Sequence, residues 1–399
     1  MSKNVLEKLA ETNPECEIWW DSSPLIYPSW MEEVLASAPD DKKESWQGQL
    51  DRLFDQDTVN ATGEMGFRGV TTNPPLSLQA IELDPAGWTK IIKDIAAANP
   101  GLSVEGIYWK TYLHLVKLGA DAIKPVYDKS GGKYGMLSGQ VDPRFVTDYN
   151  AMLEQGLSIA AMGDNVMVKI PGSKEGYEVI EELTARGIST NNTTSFTVSQ
   201  YMRCMAAVTA GLQRARAAGV DVSRWRSVIT HMSSRLGEKG DWQKEAKLRG
   251  IDLSLGEIRD GEEAVLKRAY HWGKDNGHPS KMLQCSMRVE KDANGKTVSR
   301  HIEDFAGGDF VYTCPPSYIH GLMKVEDELA TLDPNAINRE PNPASLEKLM
   351  KLPSFRAAYE FEGQKPVEFA SYGAFQATAT EFAAATRQTV DFVRMVVEG

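Results

Sequence analysis

The sequence predicts an α/β chain folded as a (β/α)8 barrel, enlarged by extra helices in an insert after its first strand and at its C-terminus. Three observations carry that expectation. Eight short apolar runs recur along the chain. Most are separated by stretches with helical amphipathic periodicity, the pattern of parallel strands joined by crossover helices. No linker rich in Pro, Gly and Ser divides the 399 residues, a length within reach of one enlarged TIM barrel.

The first run, Glu17 to Asp21, stops at Ser22-Ser23-Pro24. The charged insert DDKKESWQGQLDRLFDQD follows and reads as an exposed helix. Phe67 to Asn73 is the second run, stopped by Pro74-Pro75. Two helical segments cover roughly 85 to 126, the second strongly amphipathic. Tyr134 to Val141 is the third run, and a helix from about 144 to 161 leads to the fourth. A helix ending at Gly187, a glycine suited to a C-cap, leads to the fifth run, Ile188 to Thr193. A long Ala-rich helix to about 218 comes next. The last three runs are Ser227 to His231, Lys281 to Ser286 and Phe310 to Cys314. The polar stretch 237 to 258 reads as an insert after the sixth strand. Residues from about 325 to 399 read as a helical tail packed on the barrel, with Ser345 as an N-cap.

Composition narrows the function. The net charge of -11 argues against nucleic acid as the main partner, so an anionic ligand needs local basic residues. Cys16, Cys204, Cys285 and Cys314 form no CxxC pair and read as reduced thiols of a cytoplasmic protein. The N-terminus lacks the apolar region of a signal peptide, and no apolar run is long enough to span a membrane. The six histidines show no HExxH or HxxxH spacing, which speaks against a histidine metal site.

The fourth run, Asn165-Val166-Met167-Val168-Lys169-Ile170-Pro171, holds a lysine inside an apolar strand. Burial disfavours the ammonium and lowers a lysine's pKa. A neutral buried amine can attack a carbonyl and form a Schiff base. Barrel active sites lie at the C-terminal strand ends. Those ends carry Asp21, Thr71 and Asn73, Gln140, Lys169, Asn191 and Thr193, Thr230 and Ser286. Alternation puts Thr71 with Asn73, Ser138 with Gln140, Met167 with Lys169 and Asn191 with Thr193 on one face, the barrel interior. Such a polar ring needs a polar ligand or water. Arg235 and Arg288 stand just beyond the sixth and seventh runs. Arginine matches phosphate oxygens bidentately, so the pair points to an anionic, phosphorylated substrate.

Gly69-Val-Thr-Thr-Asn-Pro74, the lysine run and the strand after Gly187 together resemble the transaldolase family of Schiff-base enzymes, from about residue 17 to 325. The resemblance implies that Lys169 attacks the ketone of fructose 6-phosphate or sedoheptulose 7-phosphate. It makes Asp21 the general base and acid on the C4 hydroxyl. Asn73 and Asn191 would bind substrate hydroxyls, with Thr71, Thr230 and Met232 as further substrate-binding positions. Thr193 would hold a catalytic water, and Arg235, Ser286 and Arg288 the phosphate. The protonated Schiff base would serve as electron sink, so no metal or organic cofactor is implied. The expected partners are small sugar phosphates, with no nucleic acid or membrane, and an oligomer is possible.

The sequence departs from that pattern at Gln140, where transaldolases carry a glutamate that helps shuttle protons through water. The related fructose-6-phosphate aldolases also have a glutamine there, with a tyrosine on the sixth strand; here that position is Met232. His231 beside it is a candidate substitute acid/base, although its strand parity is opposite to Thr230 and Met232. Three readings therefore stand: a dihydroxyacetone transferase, a lyase of the fructose-6-phosphate aldolase type or one of altered sugar specificity, and a sugar-phosphate-binding barrel without chemistry.

Overall fold

The computed structural model describes residues 3–54 and 66–399. Eight parallel strands close into a barrel: β1 (Glu17–Asp21), β2 (Gly69–Thr71), β3 (Met136–Gln140), β4 (Val166–Pro171), β5 (Thr190–Ser195), β6 (Ser227–Met232), β7 (Lys281–Cys285) and, after the small antiparallel pair β8 (Glu290–Lys291) and β9 (Thr297–Val298), β10 (Phe310–Cys314). β10 pairs with β1 and β7, so the eighth barrel strand closes the ring. Each of the eight apolar runs supplies one barrel strand. The small pair β8–β9 had no signal in the periodicity.

Alternation along the strands fixes what fills the interior. Thr71 and Thr313 lie on strands either side of β1, and their hydroxyls meet at 2.5 Å. Such a contact across an intervening strand is possible only inside the ring. By parity, Glu17 and Trp19 also point inward. A Cβ on Gly69 would lie 2.4 Å from the Trp19 indole, so only glycine lets the buried ring pack across β2. At the N-terminal end of the barrel, the Glu17 carboxylate accepts from Arg226 at 2.6 Å and Lys281 at 2.9 Å, and from the Trp19 indole N–H at 2.9 Å. Burial opposes the Glu17 charge, but these two cations outweigh it and hold its pKa below the usual value.

Several expectations need correction. The fifth strand starts at Thr190 rather than Ile188. Gly187 takes φ +74°, and the Ile188 N–H reaches back to the Leu183 carbonyl at 3.0 Å. Ile188 thus still terminates the preceding helix. Pro74-Pro75 stops β2 but also begins a helix, Pro74–Glu82, because Asn73 caps it by accepting from the Leu76 N–H at 3.0 Å. The helix Lys43–Leu53 is not simply exposed: Trp46, Leu50 and Leu53, spaced i, i+4, i+7, are buried. Residues 55–57 of that charged insert lie outside the described residues. The stretch 237 to 258 is largely helical, from Ser233–Lys239 through Trp242–Leu248 to the start of the long helix Leu255–Asp275. It is anchored rather than looped out, since Trp242 is fully buried against Phe355 of the tail with ring centroids 5.0 Å apart. Ser345 is not an N-cap. Pro343 opens that helix and Asn342 caps it, leaving Ser345 to donate to Asp260 at 2.5 Å.

The tail ends in the helix Gly373–Glu398. It packs on the helices Pro74–Glu82 and Ser233–Lys239, which follow β2 and β6, and on β5 itself. It therefore crosses the C-terminal mouth of the barrel. Among the described residues, no helix is long and apolar enough to cross a membrane.

Candidate active site

The strand ends and the C-terminal helix enclose a cavity of about 210 Å3. Asp21, Thr71 and Lys169 line it from β1, β2 and β4, and Asn73 from the turn just beyond β2. Thr230 and Met232 line it from β6, and Arg235 and Ser286 from just beyond β6 and β7. Four other sequence candidates, Gln140, Asn191, Thr193 and Arg288, are not part of this lining.

The lysine is placed by its strand and held by a loop. The Lys169 Nζ donates to the Thr72 carbonyl at 2.9 Å, and the Thr72 hydroxyl donates to the Ser138 carbonyl at 2.7 Å. The Asp21 carboxylate accepts from the Thr71 hydroxyl at 2.6 Å. Burial lowers the Lys169 pKa, while the negative charge of Asp21 works against that shift. Burial likewise raises the Asp21 pKa, opposed by Lys169, the Thr71 hydrogen bond and Arg235. Burial thus pushes both groups toward their neutral forms while each charge opposes the other's shift, and the two stand in one cavity.

Beneath the cavity a polar girdle ties β3, β5 and β6 together. Asn191 donates to the Ser138 hydroxyl at 3.0 Å, across β4, and accepts from the Thr230 hydroxyl at 2.7 Å. Asn191 is paired with Lys169 in the β4–β5 register, and Gln140 with Lys169 in the β3–β4 register. The Gln140 backbone N–H donates to the Tyr112 hydroxyl at 2.7 Å, and the residue lines a second, small cavity with Tyr108, Asp142 and Thr386. Its side-chain Oε1 and the Thr193 hydroxyl are buried without a hydrogen-bond partner among the described residues.

Two arginines flank the mouth differently. The Arg235 guanidinium makes a two-pronged contact with Glu381, at 2.8 and 2.7 Å. Arg288 lies outside the cavity lining and is 47% exposed, paired with Glu238 at 2.7 Å. Ser286 takes φ +59° where β7 ends, a left-handed backbone rare for serine and a mark of local strain.

His231 does not reach the cavity. It points outward from β6, where its Nδ1 meets the Tyr201 hydroxyl beneath the helix Val198–Ala217. Burial pushes its pKa down to about 3, leaving a neutral ring. Its candidacy as a substitute acid/base therefore fails on parity and position.

The sequence reading missed Thr313, Cys285, Leu76 and Phe382, all in the cavity lining. Thr313 was detectable by the same strand-parity argument applied to the eighth run. Cys285 was passed over as a dispersed thiol; burial pushes its pKa up to about 12, with Asp21 adding to the rise. No local signal marks Phe382.

The fold and cavity define a (β/α)8-barrel protein with a lysine–carboxylate site at the C-terminal strand ends. A profile of the family described as Transaldolase/Fructose-6-phosphate aldolase matches residues 50–358. The chain is 32% identical to "Transaldolase 2" of Streptomyces coelicolor over 329 residues, 78% of this chain and 83% of that protein. It is 34% identical to "Transaldolase" of Acidothermus cellulolyticus over 291 residues, 66% and 76% of the two chains. Against "Transaldolase 1" of Streptomyces avermitilis it is 37% identical over 175 residues, 43% of this chain, and spans about half of that relative's length, 46%. The chain belongs to the transaldolase/fructose-6-phosphate aldolase family.

Proposed function

We propose that the chain transfers a dihydroxyacetone unit between sugar phosphates through a Schiff base on Lys169, as a cytoplasmic enzyme. The observation that carries this reading is the buried Lys169 amine sharing one cavity with Asp21. The amine attacks the ketone of a donor such as fructose 6-phosphate, water leaves, and an iminium forms. Asp21 takes the C4-hydroxyl proton as the C3–C4 bond breaks. The bonding electrons pass into the iminium, and glyceraldehyde 3-phosphate departs. The enamine left on Lys169 attacks the aldehyde of an acceptor such as erythrose 4-phosphate. Asp21 returns its proton, and hydrolysis frees the lysine. The iminium is the electron sink, so these steps call for no metal or organic cofactor. Asn73 orients substrate hydroxyls, Asn191 holds Thr230 at the cavity wall, and Arg235, with Ser286, receives the phosphate; Arg288, outside the lining, takes no part.

Borohydride trapping with fructose 6-phosphate tests the reading. Adduct mass on Lys169 is expected; an unmodified lysine, or an adduct elsewhere, rules it out. Turnover abolished in Lys169→Met excludes a barrel that only binds sugar phosphates.

Gln140 favours a second reading, a lyase that releases dihydroxyacetone. An amide cannot relay a proton as a carboxyl does, and Gln140, whose Oε1 has no partner among the described residues, sits beside Lys169 in the sheet. Glyceraldehyde 3-phosphate release with and without erythrose 4-phosphate separates the two. Strict dependence on the acceptor excludes the lyase.

A further inference from the structure

The cavity's arginine is already occupied by a carboxylate of the same chain. Both oxygens of Glu381 face the Arg235 guanidinium, at 2.8 and 2.7 Å, the fork geometry that phosphate oxygens also match. Glu381 comes from the C-terminal helix, one residue before Phe382, whose ring lines the cavity 5.4 Å from the Arg235 guanidinium carbon. The same helix thus orients the guanidinium and covers its binding edge. A second cation, Lys239, also contacts Glu381. The Glu381 side chain is 42% exposed, so it stands at the rim with room to turn outward.

We propose that Glu381 is an internal competitor for the substrate's phosphate, holding Arg235 until the anion displaces it and so setting the cavity's affinity for phosphorylated ketoses. The proposal rests on the reading that Arg235 receives the substrate's anion. Lys239 retains Glu381 after the exchange, so the helix stays in place while the guanidinium changes partner. Arg288 and Glu238 form a similar pair, but Arg288 does not line the cavity, so that pair is no part of the exchange.

Inorganic phosphate is the probe, titrated calorimetrically into the full chain. Glu381→Gln should bind it about two- to fivefold more tightly, the scale of one partly exposed ion pair. Glu381→Asp keeps the charge but is one methylene too short to hold the fork, so it should tighten binding as well. The KM for fructose 6-phosphate should fall in the same direction. Tighter binding in Glu381→Gln alone would reduce Glu381 to a diffuse field effect and overturn the competition. Unchanged affinity in both variants, with binding lost in Arg235→Gln, also overturns it but leaves Arg235 as the anion site. Wild-type affinity in Arg235→Gln removes the anion site itself, and the proposal with it.

Discussion

The Lys169 amine donates a hydrogen bond to the Thr72 carbonyl at 2.9 Å, fastening the β4 side chain to the turn that follows β2. The bond aims the amine without giving it a counter-ion. A carbonyl acceptor leaves burial as the main influence on its protonation, with Asp21 opposing. The first prediction follows from that balance.

Burial lowers the Lys169 pKa, so the amine sheds its proton below the ordinary lysine value of about 10.4. The rate of borohydride trapping with a ketose should therefore rise with pH through a midpoint below that value. A midpoint at or above it would mean the amine reacts from a solvated position.

Asn191 bridges Ser138 on β3 and Thr230 on β6. Asn191→Leu leaves two buried hydroxyls short of a partner and should cost about 1–3 kcal/mol in urea unfolding. Activity should fall further than stability does, since the same amide holds the Thr230 hydroxyl that lines the cavity. Full activity in the folded variant would confine Asn191 to a structural part.

Glu17 clasps Arg226 and Lys281 at the end of the barrel remote from the cavity. Glu17→Gln takes the carboxylate from Arg226 while Lys281 keeps its pair with Asp309, and should cost about 3 kcal/mol. The pH dependence has a definite sign. The folded Glu17 pKa lies below the ordinary value of about 4.3, so its contribution is present above that pH and fades as pH falls through the folded value. The stability gap between wild type and variant should be constant above about pH 5 and close below about pH 4. A gap that widens in acid would reverse the assignment.

Gln140 stands beside Lys169 in the sheet, with an acceptor that has no partner among the described residues. Gln140→Glu supplies a group able to carry a proton and should raise the rate of dihydroxyacetone transfer to erythrose 4-phosphate. A rate unchanged or lowered would assign the glutamine to a different chemistry.

Much of the site was legible because strand alternation is a local property. Thr71, Lys169, Asn191 and Thr230 could be placed on an inner face from period-two spacing alone, and hydrogen bonds between strands now join Asn191 to Thr230. His231 was suspect for the same reason, and its ring does lie outside the barrel against Tyr201. Boundaries were less legible where two motifs overlap. Asn73 ends one element and caps the next, and Ile188 closes a helix before the strand can begin.

The sequence by itself determined the eight alternating strand and helix units that suggest a barrel, and the strand end on which each polar group falls, because both follow from short-range periodicity. Tertiary structure alone decided that a helix near residue 380 lies over the mouth, adding Phe382 to the cavity and Glu381 to Arg235. It also decided that burial raises the Asp21 pKa beside Lys169. Those outcomes depend on packing between segments far apart in the chain and on water excluded by the whole barrel, and neither leaves a mark in local spacing.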